Sequence, residues 1–143
     1  LQAWWATSEE AIHMMSFLGE WSDAKGNESP EHREVVRILV VCVRTAPDLN
    51  PQDHQALDLL EAWAAGGEDR RDDAYMLSSS SFVCRAVHFA KNEYASSWIT
   101  LKIFLESITS DKEGTEREEA MVQHQRLLAD LIRREMPLSP VVD

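Results

Sequence analysis

Glu10 and His13 stand three residues apart, the Glu-x-x-His spacing that puts two metal ligands on one face of a helix in di-metal carboxylate bundles. Such a centre needs a second copy of the motif and two further carboxylates. None of His32, His54, His88 and His124 has a Glu three positions before it, so Glu10 is read as part of a helix cap and no metal or other cofactor is expected. Cys84 and His88 lie at i, i+4, a spacing at which an imidazole could activate a thiol. Their neighbours Phe82, Val83, Val87 and Phe89 would desolvate a thiolate and disfavour it, which makes core packing the expected role. His124 falls on an apolar helical stripe and reads as a partly buried histidine bonded to a neighbouring helix. The serines at 78–81 lack the flanking Gly-x-Ser-x-Gly of a nucleophile elbow, and the chain holds no phosphate-cradling glycine loop. They read as a small-residue helix face that lets another helix approach. No catalytic residue is expected.

The elements that position these side chains come from a chain of 143 residues with 14 Lys+Arg, 25 Asp+Glu and a formal net charge of −11. A length near 150 residues buries about two-thirds of the unfolded surface without staples, and 44% hydrophobic residues exclude a disordered acidic tail. The sign of the charge excludes a basic face for nucleic acid. The longest apolar run, 38–43, is closed by Arg37 and Arg44, far short of a membrane span. Leu1-Gln2-Ala3-Trp4-Trp5 lacks the basic region and cleavage site of a signal peptide, although the missing initiator Met leaves a trimmed leader open. The expected location is cytoplasmic, with Cys42 and Cys84 as buried free thiols rather than a disulfide.

Six helices are expected. Thr7-Ser8-Glu9-Glu10 can cap the first, whose buried stripe is Ala11, Met14, Met15, Leu18 and Trp21. Ser29-Pro30 opens the second. Its segment 35–43 is apolar nearly all round and could be a strand, but the cap and the lack of a partner strand favour a central helix. Asn50-Pro51 opens the third, with Leu57, Leu60, Trp63 and Ala64 as its stripe and Gly66-Gly67 as its stop. A short link makes the second and third antiparallel neighbours. Residues 68–90 read as one helix, with the serines as the place for a kink. Ala95, Trp98, Leu101, Leu105 and Ile108 mark the fifth helix. Thr115-Glu116-Arg117-Glu118 is a capping box for the last, with Met121, His124, Leu128, Leu131 and Glu135 along its stripe. The expectation is one all-α domain, 1–136, packed as an irregular antiparallel bundle, with 137–143 as an extended tail lying on the surface or fraying. The five tryptophans are read mostly as core, with Trp4-Trp5 as an alternative partner-binding anchor.

The segment Trp5-Ala6-Thr7-Ser8 followed by Met14-Met15-Ser16-Phe17-Leu18 resembles the opening of an uncharacterised all-helical bacterial protein family frequent in planctomycetes. Arg37-Ile38-Leu39-Val40-Val41-Cys42-Val43-Arg44 resembles that family's basic, Cys-containing apolar helix. Ala56-Leu57-Asp58-Leu59-Leu60-Glu61-Ala62-Trp63-Ala64-Ala65-Gly66 is similar to its next helix, and Gln125-Arg126-Leu127-Leu128-Ala129-Asp130-Leu131-Ile132 to its closing segment. Where that family has an Ala-rich stretch and a cysteine cluster, this chain has serines at 78–81 and Cys42 alone. The Leu-x-x-Ala-Trp-Ala-x-Gly element also resembles helical putative immunity proteins of bacterial toxin systems. Both likenesses imply an all-helical fold, and the second implies a protein partner.

Charge distribution supplies the candidate surface. Residues 46–77 hold eight acids against two bases, the largest acidic excess of any stretch. A solvated face is the default reading of this excess; the alternative is an acidic surface that steers and holds a basic protein partner. The contact residues on that second reading are Asp58, Glu61, Glu68, Asp69, Asp72 and Asp73. The functional expectation is a non-enzymatic interaction protein, an acidic immunity-type binder of a basic partner. The alternative is a small helical-bundle metal-binding protein or enzyme using Glu10, His13 and His124.

Overall fold

The computed structural model describes residues 1–26, 28–93 and 95–140. Those residues form eight helices and no strand: α1 (Gln2–Thr7), α2 (Ala11–Lys25), α3 (Pro30–Val43), α4 (Pro51–Ala64), α5 (Arg71–Leu77), α6 (Ser81–Ala90), α7 (Ser97–Ile108) and α8 (Gly114–Glu135). The all-α class holds, and the number of helices is eight rather than six. Two places account for the difference. The start of the chain forms its own short helix, and what was read as one helix over 68–90 is two.

Ser8, Glu9 and Glu10 separate α1 from α2, and Thr7 ends α1 instead of capping α2. The Thr7 hydroxyl donates back to the Ala3 carbonyl at 2.8 Å, and Ser8 Oγ accepts from the Glu10 amide at 3.2 Å. At the serines, Ser78 leaves α5 in an extended conformation and Ser80 enters α6 extended. They do not form a helix face. The capping box at Thr115 is not made either: the N-cap falls two residues earlier, at Glu113, and α8 starts at Gly114 with no side-chain cap. Arg117 instead turns back onto the end of α7, with Nε on Thr109 Oγ1 and Nη2 on the Glu106 carbonyl, both at 3.4 Å.

The other caps form as read. Ser29 Oγ accepts from the His32 amide at 3.1 Å and Asn50 Oδ1 from the Asp53 amide at 2.8 Å, each ahead of a proline in the first turn. At the end of α4, Gly66 adopts φ +94°, and a Cβ on Gly67 would stand 2.8 Å from the Ala62 carbonyl oxygen. Only glycine fits that reversal without strain.

α3 is the centre of the bundle and packs against α2, α4, α6, α7 and α8. Val35, Val36, Ile38, Leu39, Val40, Cys42 and Val43 are all buried, which explains an apolar pattern with no polar face. Around it, α2 buries Ala11, Met14, Met15 and Leu18, α4 buries Leu57, Leu60 and Trp63, and α6 buries Phe82, Val83, Ala86, Val87 and Phe89. On α7 the buried face is Ser97, Thr100, Leu101, Phe104 and Leu105. Trp98, expected on that face, is 38% exposed. The close approach of α2 to α7 rests on Gly19, where a Cβ would lie 2.8 Å from Ser97 Oγ.

Both ends of the chain meet. Trp5 is fully buried and its indole N–H donates to the Met136 carbonyl at 2.8 Å. Gln2 and Ser139 exchange two hydrogen bonds, at 3.1 and 2.8 Å, and Arg133 donates to the Trp5 carbonyl at 3.1 Å. Trp4 packs against Phe17, so the tryptophan pair seals the bundle and is no exposed anchor. Pro137 and Leu138 are exposed, whereas Ser139 is buried against Gln2; the remainder of the 137–143 expectation falls on 141–143, outside the described residues.

Candidate functional site

The acidic surface is built by α4, the turn after it and α5. Asp58 and Glu61 stand one helical turn apart on the exposed side of α4, and Glu68 and Asp69 lie in the connection. Asp72 and Asp73 occupy the first turn of α5, where the helix dipole favours carboxylates. All six are exposed.

Five of the six are already engaged within the chain. Arg44 holds Asp58 at 2.6 Å and Glu61 at 3.5 Å. Lys91 holds Asp72 at 2.6 Å, and Arg70 holds Asp73 at 3.0 Å. Asp69 accepts from Arg71 Nε, Arg71 Nη2 and the Arg71 amide. Those Arg71 bonds hold its carboxyl down at about 2. Glu68 makes no ion pair among the described residues. The sequence excess is therefore partly cancelled by Arg44 from α3 and Lys91 beyond α6, bases remote in sequence that folding brings alongside.

Beside these carboxylates, Met76 is 79% exposed and Tyr75 42%. Within α5, Asp72 and Asp73 stand four and three residues before Met76, which puts all three on one side of the helix. Sequence reading missed this apolar end, because Tyr75 and Met76 continue into the apolar Leu77 and look like the beginning of a buried stripe.

A second acidic group was also missed. Glu113, Glu116, Glu118 and Glu119 at the start of α8 are exposed and make no ion pair among the described residues. The buried residues of α8 are Leu128, Ala129 and Ile132, all in its second half. Its first half is consequently more open, with Val122 49% exposed.

The remaining chemical candidates separate cleanly. Glu10 and His13 contact each other at 3.0 Å with both side chains largely in solvent, and the described residues contain no group of three or more His, Cys, Asp or Glu placed to hold a metal. His124 contacts Thr45 Oγ1 through Nε2 at 3.2 Å and leans on the Phe104 ring, and burial holds its imidazole below the ordinary value. Cys42 is fully buried, which pushes its thiol up to about 12. Both cysteines are free, but Cys84 is only half-buried. Phe82, Val83, Val87 and Phe89 turn to the core, whereas Cys84 and His88 share the other side of α6 and line an open cleft. The desolvating neighbours expected around them point away, so these two residues are not core packing.

Two buried polar centres, neither expected, hold this part of the bundle. Asp53, fully buried, accepts from the Ser79 and Ser80 amides at 2.8 and 3.2 Å and from the Ser80 hydroxyl at 2.6 Å. Burial pulls the Asp53 carboxyl up, but the Ser80 and Ser79 hydrogen bonds outweigh it and hold the group below the usual carboxylate range. The second centre is the Ala90 carbonyl, which accepts from Arg71 Nη1 at 2.7 Å and His32 Nε2 at 3.2 Å. Arg71 lies 4.1 Å from the Trp63 ring centroid, with Arg33 at 5.0 Å from the same ring.

Comparison of the chain with protein-family models, with curated proteins and with solved structures finds no match. No helix among the described residues is long and apolar enough to cross a membrane.

Proposed function

We propose that this chain is a non-enzymatic interaction protein that binds a basic protein partner through the α4–α5 face, in the manner of an acidic neutraliser of a toxin or enzyme surface. The observation that supports it best is α5, where exposed Tyr75 and Met76 lie one turn beyond Asp72 and Asp73. An apolar centre within a charged rim is the usual anatomy of a protein interface. The carboxylates are held in place by Arg70, Arg71 and Lys91, so they are presented with little left to order on binding. Glu68 and the α8 acids add to the field that steers a basic partner.

The test is kinetic. With a basic partner recovered from the native organism, association should slow at least about tenfold between low and physiological salt. Asp72→Lys/Asp73→Lys should slow association, while Met76→Asp should speed dissociation. A salt-independent association rate, or Met76→Asp binding with unchanged lifetime, refutes the assignment of this face. The alternative metal-binding or enzymatic reading rests on Glu10, His13 and His124, whose side chains engage one another and Thr45. Metal analysis of untagged protein tests it, and stoichiometric metal would replace the interaction reading.

A further inference from the structure

The outward side of α6 carries a cluster with the parts of an activated thiol. Cys84 and Arg85 stand three and four residues after Ser81 and four and three before His88, so the four share one side of α6, and with Glu93 and Ala95 they line a cleft of about 410 Å³. After α6 the chain reverses through Asn92, at φ +58°, and the Glu93 amide donates to the His88 carbonyl at 2.8 Å. That turn brings the Glu93 carboxylate back beside His88, with Oε2 at 3.4 Å from Nδ1. The other carboxylate oxygen is held by Lys91 at 3.5 Å, and the Tyr75 ring meets the imidazole edge-on at 5.2 Å. With Nδ1 turned to Glu93, Nε2 is the nitrogen left to take a proton. Arg85 makes no ion pair among the described residues. The ionisable side chains facing the cleft are thus Cys84, Arg85, His88 and Glu93, with Lys91 behind the last.

We propose that Cys84 is an exchange-competent thiol that takes small anionic disulfides, with His88 as its proton acceptor, Glu93 orienting the imidazole and Arg85 supplying the counter-charge. The Cys84 proton passes to His88 and the sulfur attacks one sulfur of the disulfide. The S–S bond breaks, and the leaving thiolate departs and takes up the proton. The products are a mixed disulfide on Cys84 and one free thiol, so electrons balance without any further oxidant. Cys42, enclosed in the core, has no route to the same reagent.

The experiment treats the full chain at neutral pH with glutathione disulfide, which is anionic, and separately with cystamine, which is cationic, following adducts by intact mass and peptide mapping. One adduct is expected, on Cys84, formed about tenfold faster than on the same cysteine in the urea-unfolded chain. His88→Asn should slow both reagents about tenfold. Arg85→Gln should lower the ratio of glutathione-disulfide to cystamine rates at least about threefold, a ratio in which the repulsion from the net charge of the whole chain cancels. Circular dichroism checks that each variant is folded. A native rate no greater than the unfolded one overturns the proposal, as does a reagent ratio untouched by Arg85→Gln. A His88→Asn rate equal to that of the parent removes His88 from it.

Discussion

Arg71 shows at the scale of one residue how composition can mislead. In the run Asp69-Arg70-Arg71-Asp72-Asp73 it reads as one more solvated charge, yet it is 8% exposed and joins four elements. Its guanidinium pairs with Glu28 ahead of α3, Asp69 ahead of α5 and the carbonyl that ends α6, while its face covers Trp63 of α4. A planar fork that is also stacked is not replaced by an ammonium. Arg71→Lys should cost about 2 kcal/mol in urea unfolding, against under about 1 kcal/mol for the one-sided Arg33→Lys. His32 shares the same carbonyl, and its burial holds the imidazole below the ordinary value, against the pull of the Ala90 bond. The unfolded chain takes up that proton near the ordinary value of about 6.5, so acid favours unfolding. This contribution is complete above about pH 6.5 and is lost as pH falls from there toward the lower folded value. His124 acts with the same sign. The urea midpoint should therefore drop between about pH 7.5 and about pH 5.5, and a His32→Gln/His124→Gln variant should show a flatter profile. A slope equal to the parent's would place the proton uptake elsewhere.

At the scale of elements, α3 and α4 were readable, because caps, prolines and stripes agree there with what the fold buries, and α2 was readable by its stripe alone. The break between α5 and α6 was not. Four serines oppose a helix only weakly, and what decides the matter is Asp53, a residue 26 positions away whose carboxylate takes the Ser79 and Ser80 amides. No local pattern announces such a bond. Asp53→Ala should cost about 2 kcal/mol by leaving buried amides unpaired, with faster hydrogen exchange at the start of α6 rather than in α3. The α2–α7 contact is similarly non-local. Gly19 lies inside a helix, where alanine would ordinarily gain about 1 kcal/mol. Here Gly19→Ala should instead destabilise, since Ser97 Oγ occupies the space and its bond to the Met15 carbonyl is lost if the hydroxyl swings away. In a Ser97→Ala background the same change should stabilise, and a double-mutant cycle measures the difference. For the candidate site, residue types were readable and their pairing was not. The six acids of the α4–α5 face could be named from sequence, but Arg44 and Lys91 reach them only once α3 and α6 are in place.

For the whole molecule, the net charge of −11 resolves into a compensated face on α4 and α5 and an uncompensated one at the start of α8. On the proposed reading the α4–α5 face touches a basic partner while the α8 acids act only through their field, which predicts that Glu116→Gln/Glu118→Gln/Glu119→Gln changes the association rate of that partner more than its lifetime. The two ends of the chain are joined just as definitely. Trp5→Phe, which keeps the ring and removes the bond to Met136, should cost about 1 kcal/mol and raise hydrogen exchange in α1 and the end of α8 together. Closing so long a loop adds little to the equilibrium cost, since that term grows only with the logarithm of length. In folding the consequence is larger. The groups that receive Trp5 lie 131 positions further along at Met136 and 128 at Arg133. A contact of that span forms after the local ones, so α1 docks late and its two tryptophans stay open to solvent until the rest of the bundle is in place.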